Sequence, residues 1–206
     1  MRVLLLQVLP YSNYKVRSWK NGLGVTREIA LHPPQLEFTS NDFLWRVSTA
    51  EVHQSGPFSQ FENYDRVLVV LKGAGLSLSH DSNSAIELPT FIPYRFSGDA
   101  ATHGELLSGP VTDLNVFVRR GKVRAEVEAV AVKGEGISCH SGAEWNFIFA
   151  ACGSFAVKSV GQQQDLILNE GDTLRLLPDQ AIRIVPQKNE GKIIKISLNP
   201  VVGATS

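Results

Sequence analysis

Cysteine is scarce in this sequence: Cys139 and Cys152 are the two in 206 residues. They form no CxxC pair and could close one bridge at most, which excludes a disulfide-stapled scaffold; both read as reduced thiols in a reducing compartment. Charge is also sparse. Charged residues make up 19%, and 20 Lys+Arg balance 20 Asp+Glu. The chain therefore has no general attraction for nucleic acid or an anionic membrane, and its function should sit in a pocket. Long apolar runs are missing too. The opening MRVLLLQVLPY is broken by Gln7, is too short to cross a bilayer and lacks a small-residue cleavage site. It reads as a first strand, and the protein as cytoplasmic. Helix formers do not gather into periodic stretches, while 17 Gly and 10 Pro are scattered throughout. Both facts favour many short strands joined by turns.

What is present is one unit written twice. Asp65–Gly73 and Glu144–Gly153 are apolar runs that end at a glycine, each suited to a strand buried on both faces. Gly73 and Gly153 are 80 positions apart, as are Ile86–Leu88 and Leu166–Leu168, and Leu114–Val118 and Ile194–Leu198. Three strand-like segments in one register indicate an internal repeat. Gly98-Asp99 corresponds loosely to Gly171-Asp172 as a turn in each half. Closed barrels or jelly rolls remove the exposed edges of such short strands. The expected fold is all-β, two tandem barrels, with an N-terminal unit over residues 1–120 and a C-terminal, mainly structural unit over 121–206. One larger β-sandwich is the alternative.

This arrangement is similar to that of bicupins, and many cupins carry the pattern G(x)5HxH(x)3-4E(x)6G, whose His and Glu side chains bind a divalent metal. Anchored on Gly73, the pattern puts Arg66 at the glutamate position, and the HxH positions fall on Gln60 and Glu62 or on Ser59 and Phe61. The five histidines, His32, His53, His80, His103 and His140, form no HxH, HxxxH or HxxxxH pair. A guanidinium offers donors only and repels a cation. No metal and no cofactor are expected. A buried Arg needs an internal carboxylate or an incoming anion, and its planar fork matches a carboxylate.

The candidate pocket follows from alternation. Period two puts Arg46, Ser48 and Ala50 on one face of Phe43–Ala50, with Trp45, Val47 and Thr49 on the other. That polar face lines either a lumen or the solvent. Arg66 shares a face with Leu68 and Val70; the alternative to a ligand-binding use of these arginines is a structural ion pair of Asp65 with Arg46 or Arg66. Gly56-Pro57-Phe58 marks a turn between these strands. Trp19–Glu28 holds two glycines around a turn and then an alternating strand; it is not a phosphate loop.

These segments together resemble the HutD/Ves family of bicupin proteins. The matching pieces are Trp19–Glu28, Trp45–Ala50, Gly56–Ser59 with Asp65-Arg66, and Gly109–Val116 with Arg119. Where the family often has a double glycine, this chain has Leu23 between Gly22 and Gly24. The resemblance implies a cupin fold without established enzymatic activity. It also implies an association with histidine utilisation, through binding of an intermediate such as urocanate or formylated glutamate, or in Ves-type members a link to stress responses.

The expected function is a metal-free binding module for a small carboxylate in the first barrel, modulating histidine utilisation. Arg46 and Arg66 would be the charge partners, Ser48, Thr26, Asn21 and Asn115 the directional hydrogen-bonding groups, and Trp19 or Phe58 a flat apolar wall, with Lys20 in the same segment. Alternatives are a metal-independent, isomerase-like enzyme using Glu28, Glu62 or His103 as base, and a stress-related protein-binding module. Neither nucleic acid nor membrane is an expected partner, and a homodimer is left open.

Overall fold

The apolar and alternating runs fold into strands, nineteen of them among the described residues. The structure, a computed structural model, describes residues 6–19, 22–36, 42–81, 83–159 and 164–203. The strands are β1 (Gln7–Leu9), β2 (Lys15–Ser18), β3 (Gly24–His32), β4 (Trp45–Val52), β5 (Gly56–Pro57), β6 (Tyr64–Lys72), β7 (Leu76–His80), β8 (Ile86–Leu88), β9 (Tyr94–Ser97) and β10 (Thr102–Leu106). They continue as β11 (Val111–Arg119), β12 (Val123–Lys133), β13 (Ile137–His140), β14 (Trp145–Cys152), β15 (Phe155–Ser159), β16 (Leu166–Leu168), β17 (Thr173–Leu176), β18 (Ala181–Pro186) and β19 (Glu190–Pro200). Among the described residues no helix is long and apolar enough to cross a membrane.

The chain divides into two compact units, Tyr14–Arg124 with Val201–Ser206, and Met1–Asn13 with Ala125–Pro200. The first holds a six-stranded sheet, β2-β3-β4-β11-β6-β9, and a four-stranded sheet, β5-β10-β7-β8. The second holds a five-stranded sheet, β1-β17-β14-β19-β12, and a four-stranded sheet, β13-β18-β15-β16. Each unit is thus a two-sheet, all-β barrel of cupin type. A boundary at residue 120 assigns β1 to the N-terminal unit, but β1 pairs with β17, Gln7 opposite Arg175, and so completes the second unit's sheet.

The 80-residue repeat is visible in the pairing. β6 and β14 run into Gly73 and Gly153, at φ 103° and 85°. Phe91 and Gly171 each donate from the backbone to the strand they follow, Phe91 to Val70 and Gly171 to Ala150, both at 2.8 Å. Phe91 takes φ 64° where Gly171 takes 90°. Gly171-Asp172 is therefore matched by Phe91-Ile92, and not by Gly98-Asp99, which follows β9. The two Gly-Asp pairs are not equivalent turns, because the positive φ rather than the residue type is what the repeat preserves.

The two interiors differ in chemistry. The second barrel is filled by Val132, Ile148, Phe155, Leu168, Leu174, Ile184 and Ile193, each 2% exposed or less. The first has an apolar layer of Leu68, Val70, Leu76, Leu78 and Leu88, against which Trp19, Phe58, Tyr94 and Phe96 pack. It has a second, aromatic layer of Leu31, Phe43, Tyr64 and Phe117 with Phe61. Truncating a side chain in the filled barrel leaves a void its neighbours cannot close. Leu174→Ala is expected to lower stability by about 2–5 kcal/mol, read as a fall in the urea midpoint at unchanged slope; an unshifted midpoint contradicts a close-packed second barrel.

Candidate functional site

Between the apolar layers of the first barrel runs a belt of polar side chains, placed there by strand register. Phe117 on β11 stands opposite Arg46 of β4 on one side and Arg66 of β6 on the other. One step along, Asn115 stands opposite Ser48 and Leu68, and a further step brings Asp113 opposite Ala50 and Val70. On β3, Glu28 is opposite Ser48 and Thr26 opposite Ala50. A register shift between Glu28 and Ala30 then brings Leu31 opposite Arg46. The extra residue lets both Glu28 and Leu31 stand in rows of the inward face. Arg46, Ser48, Arg66, Asn115, Asp113 and Glu28 are all buried.

Arg66 is the centre of the belt. It is 5% exposed. Its Nη2 donates to Asn115 Oδ1 at 2.8 Å, and Nη1 reaches the Ser59 carbonyl at 3.4 Å. Its Nε–H has no hydrogen-bond partner among the described residues. The guanidinium lies over Phe117 at 4.5 Å and Phe96 at 4.7 Å, with Phe58 at 5.6 Å and Phe61 at 6.0 Å. The rings attract the cation through their faces but do not satisfy its N–H groups. The Asn115 amide is held at both ends: it accepts from Arg66 and donates to Asp113 Oδ1. Only this orientation of the amide works, since Arg offers no acceptor and an ionised Asp no donor. Asp113 is fully buried, and its Oδ2 has no partner among the described residues.

Arg46 sits over Phe117 at 4.4 Å, Phe61 at 5.0 Å and Phe43 at 5.1 Å. The two guanidiniums thus share Phe117. Burial lowers the pKa of Arg46 to about 10 and of Arg66 to about 9, so both stay cationic at pH 7. Desolvation pushes Asp113 up to about 7, against the pull of Arg66. Glu28 is raised by desolvation, while Lys15, Arg46 and Arg17 pull it down. His80 is lowered by burial; its Nδ1 is 2.9 Å from Thr102 Oγ1 and its Nε2 3.1 Å from Tyr94 Oη.

The sequence-predicted residues meet this belt unequally. Arg46, Ser48, Arg66, Asn115 and Thr26 share the inward face. Trp19 Nε1 donates to Thr26 Oγ1 at 2.8 Å and its ring stands edge-on to Phe58 at 6.4 Å. Gly24 permits this approach, because a Cβ there would lie 3.2 Å from the Trp19 ring and 2.5 Å from the Glu51 carbonyl. Lys20 and Asn21 lie outside the described residues. Asp65 does not pair with Arg46 or Arg66; it is exposed and accepts from Arg120 at 2.8 Å, because odd-numbered β6 positions face away from Arg66. Glu62 and His103 are exposed, which removes them from the interior, whereas Glu28 is in it. Sequence reasoning missed Asp113, Phe117 and Phe96. The first two follow from the same period-two alternation on Val111–Arg119 that places Asn115; Phe96 depends on the pairing of β9 with β6.

The arrangement suits an anion. Two guanidiniums and a row of polar groups share this inward face, and among the described residues no three His, Cys, Asp or Glu converge on one point.

The raised Asp113 also makes stability depend on pH. An acid whose pKa is higher in the fold than in the unfolded chain favours folding when protonated. Its contribution is complete below about pH 4 and is lost as pH rises through about 7. Urea denaturation from pH 4 to 8 should therefore show a decline of roughly 2–4 kcal/mol from this group that Asp113→Asn lacks; parallel profiles for the two proteins contradict the burial of an ionisable group there.

Comparison with known proteins agrees with this architecture. The family model of HutD matches residues 11–194. A Pseudomonas putida protein, described as an uncharacterised 21.2 kDa protein in the hutC 3′ region, is 32% identical over 77% of this chain and 80% of its own. The Ves protein of Citrobacter koseri is 35% identical over 54% of this chain and 57% of its own. Among solved structures, a conserved Pseudomonas aeruginosa protein of unknown function superposes with TM-score 0.82 at 30% identity, over 95% of this chain and 99% of that one. HutD from Pseudomonas fluorescens does so with TM-score 0.77 at 27% identity, over the same shares. Bacillus subtilis oxalate decarboxylase matches in fold alone, with TM-score 0.68 at 8% identity over 96% of this chain and 78% of that one. The chain belongs to the HutD family.

Proposed function

We propose that the protein binds a small carboxylate, of the urocanate or formylated amino acid type, in the first barrel, without a metal, and modulates histidine utilisation by holding that compound. The observation that carries this reading is the Arg66 guanidinium. It is buried, cationic and ringed by aromatics, and its Nε–H has no partner among the described residues. Burying an N–H of a cation without an acceptor is costly unless something supplies one. A carboxylate does so side-on, through Nε and Nη together. Phe117, Phe96 and Phe58 offer flat walls to a planar acid, and Ser48 and Thr26 offer hydroxyls on the same face. The hutC-region and HutD names of its relatives support the link to histidine utilisation.

Glu28 favours a second reading, a metal-independent enzyme. Its carboxyl is buried and raised in pKa, and its Oε2 has no partner among the described residues, as befits a base awaiting a substrate proton. Turnover of a bound acid, followed by mass spectrometry and abolished in Glu28→Gln, would establish that reading over simple binding.

Titration calorimetry with urocanate and N-formylglutamate tests the binding site. At least one should bind the wild type, and Arg66→Met, checked by thermal melting, should weaken it roughly 10- to 100-fold through loss of the charge-assisted pair. Binding indifferent to Arg66→Met sinks the assignment.

A further inference from the structure

The belt of the first barrel contains two cations, Arg46 and Arg66, and two acids, Glu28 and Asp113, among its described residues. With all four ionised their charges cancel. A carboxylate ligand seated on Arg66 adds a negative charge to an interior that cannot solvate it, so one acid has to give way. The surroundings decide which. Glu28 is supported by three cations, Lys15 and Arg17 of β2 and Arg46 of β4. Asp113 has one supporting cation, Arg66 of β6, and reaches it only through the Asn115 amide. The remaining titratable ring near Arg66, His80 of β7, has both nitrogens engaged by Thr102 and Tyr94, and burial lowers its pKa, with Asp81 opposing and Arg66 adding to that shift. An anion on Arg66 occupies the field that stabilises Asp113 in its ionised form. Each acid keeps one oxygen without a partner among the described residues, Asp113 Oδ2 and Glu28 Oε2, and the single supporting cation of Asp113, against three for Glu28, makes Oδ2 the atom to take the proton.

We propose, building on the carboxylate reading above, that the first barrel takes up a monocarboxylate together with one proton from solvent, which lodges on Asp113 Oδ2, and that it discriminates against dicarboxylates. The only bond formed is the O–H on Asp113. A second ligand carboxylate has to be met by Glu28, whose ionised form Lys15, Arg46 and Arg17 favour against the desolvation that raises its pKa. Asp113 in the free protein already titrates near neutrality, to about 7, so the coupling falls in the physiological range. Its sign is fixed: as pH rises above the free-state value the proton must be bought from a more dilute pool, and affinity falls.

Two probes without titratable groups near pH 7 test this, 3-(2-furyl)acrylate and N-formylglutamine. Calorimetry at pH 7.5 in buffers of different ionisation enthalpy counts the protons. The wild type should take up about half to one proton per ligand, with affinity level below about pH 6.5 and falling by up to about tenfold per pH unit above 7. Asp113→Asn should bind without proton uptake and with no slope. N-formylglutamate, which differs from N-formylglutamine by one carboxylate, should bind about tenfold more weakly or worse. Binding by the wild type with no proton uptake, or a dicarboxylate that binds as well as its amide, overturns the proposal while leaving the carboxylate site standing. No binding of these probes or of urocanate overturns both. The proton count and pH slope of the wild type decide the matter even if Asp113→Asn fails to fold.

Discussion

A permanently charged guanidinium enclosed within a β-barrel is the constraint on which the first unit is built. Arg66 cannot be left without compensation, and the fold supplies it indirectly: aromatic faces above and beside it, one amide at 2.8 Å, and a carboxylate beyond that amide. A direct ion pair with Asp113 would have saturated the cation. Interposing Asn115 spreads the charge over a relay, and the buried Nε–H is left without a partner among the described residues. Full burial desolvates Asp113 and Arg66 offsets that only in part, which is why its pKa stands near neutrality. A buried donor without a partner among the described residues and a desolvated acid thus lie on either side of one amide.

The second barrel shows what the scaffold looks like without that demand. At the 80-residue offset, Asn146 stands where Arg66 does, and its amide is spent on Ala143, donating at 2.7 Å and accepting at 3.2 Å. Ile193 stands at the position of Asp113 and Leu176 at that of Phe96. The result is a continuous apolar interior. The same topology therefore accommodates either a filled core or a polar belt, and the choice lies in a few inward positions on β6, β9 and β11. This is the general relation between fold and function: the scaffold positions the groups, and the groups decide the chemistry.

Much of the architecture was legible from residue order. Short apolar runs ended by glycine, repeated at one offset, determine an all-β duplicated chain, because period-two patterning and turn residues act locally. The face shared by Arg46 and Ser48 follows in the same way, and so does the replacement of a metal-binding carboxylate by Arg66. Other features depended on which strands become neighbours. Asp65 looked like a partner for Arg66 because it is adjacent in sequence, yet adjacency on a strand means opposite faces, and Arg120 claims it. Glu28 enters the belt with Leu31 through a register shift on β3 that no local pattern announces. The first strand joins the second unit through pairing with β17, more than 160 positions away.

The sequence by itself thus determined the strand content, the duplication and the cationic residue at position 66, since each is a property of local pattern and chemical type. The tertiary structure alone decided that Phe117 lies between Arg46 and Arg66, that Asn115 separates Arg66 from Asp113, and that the second barrel closes on apolar side chains. Those outcomes rest on long-range register and on burial, and burial is what converts an ordinary aspartate and an ordinary arginine into groups whose charge is costly to leave uncompensated.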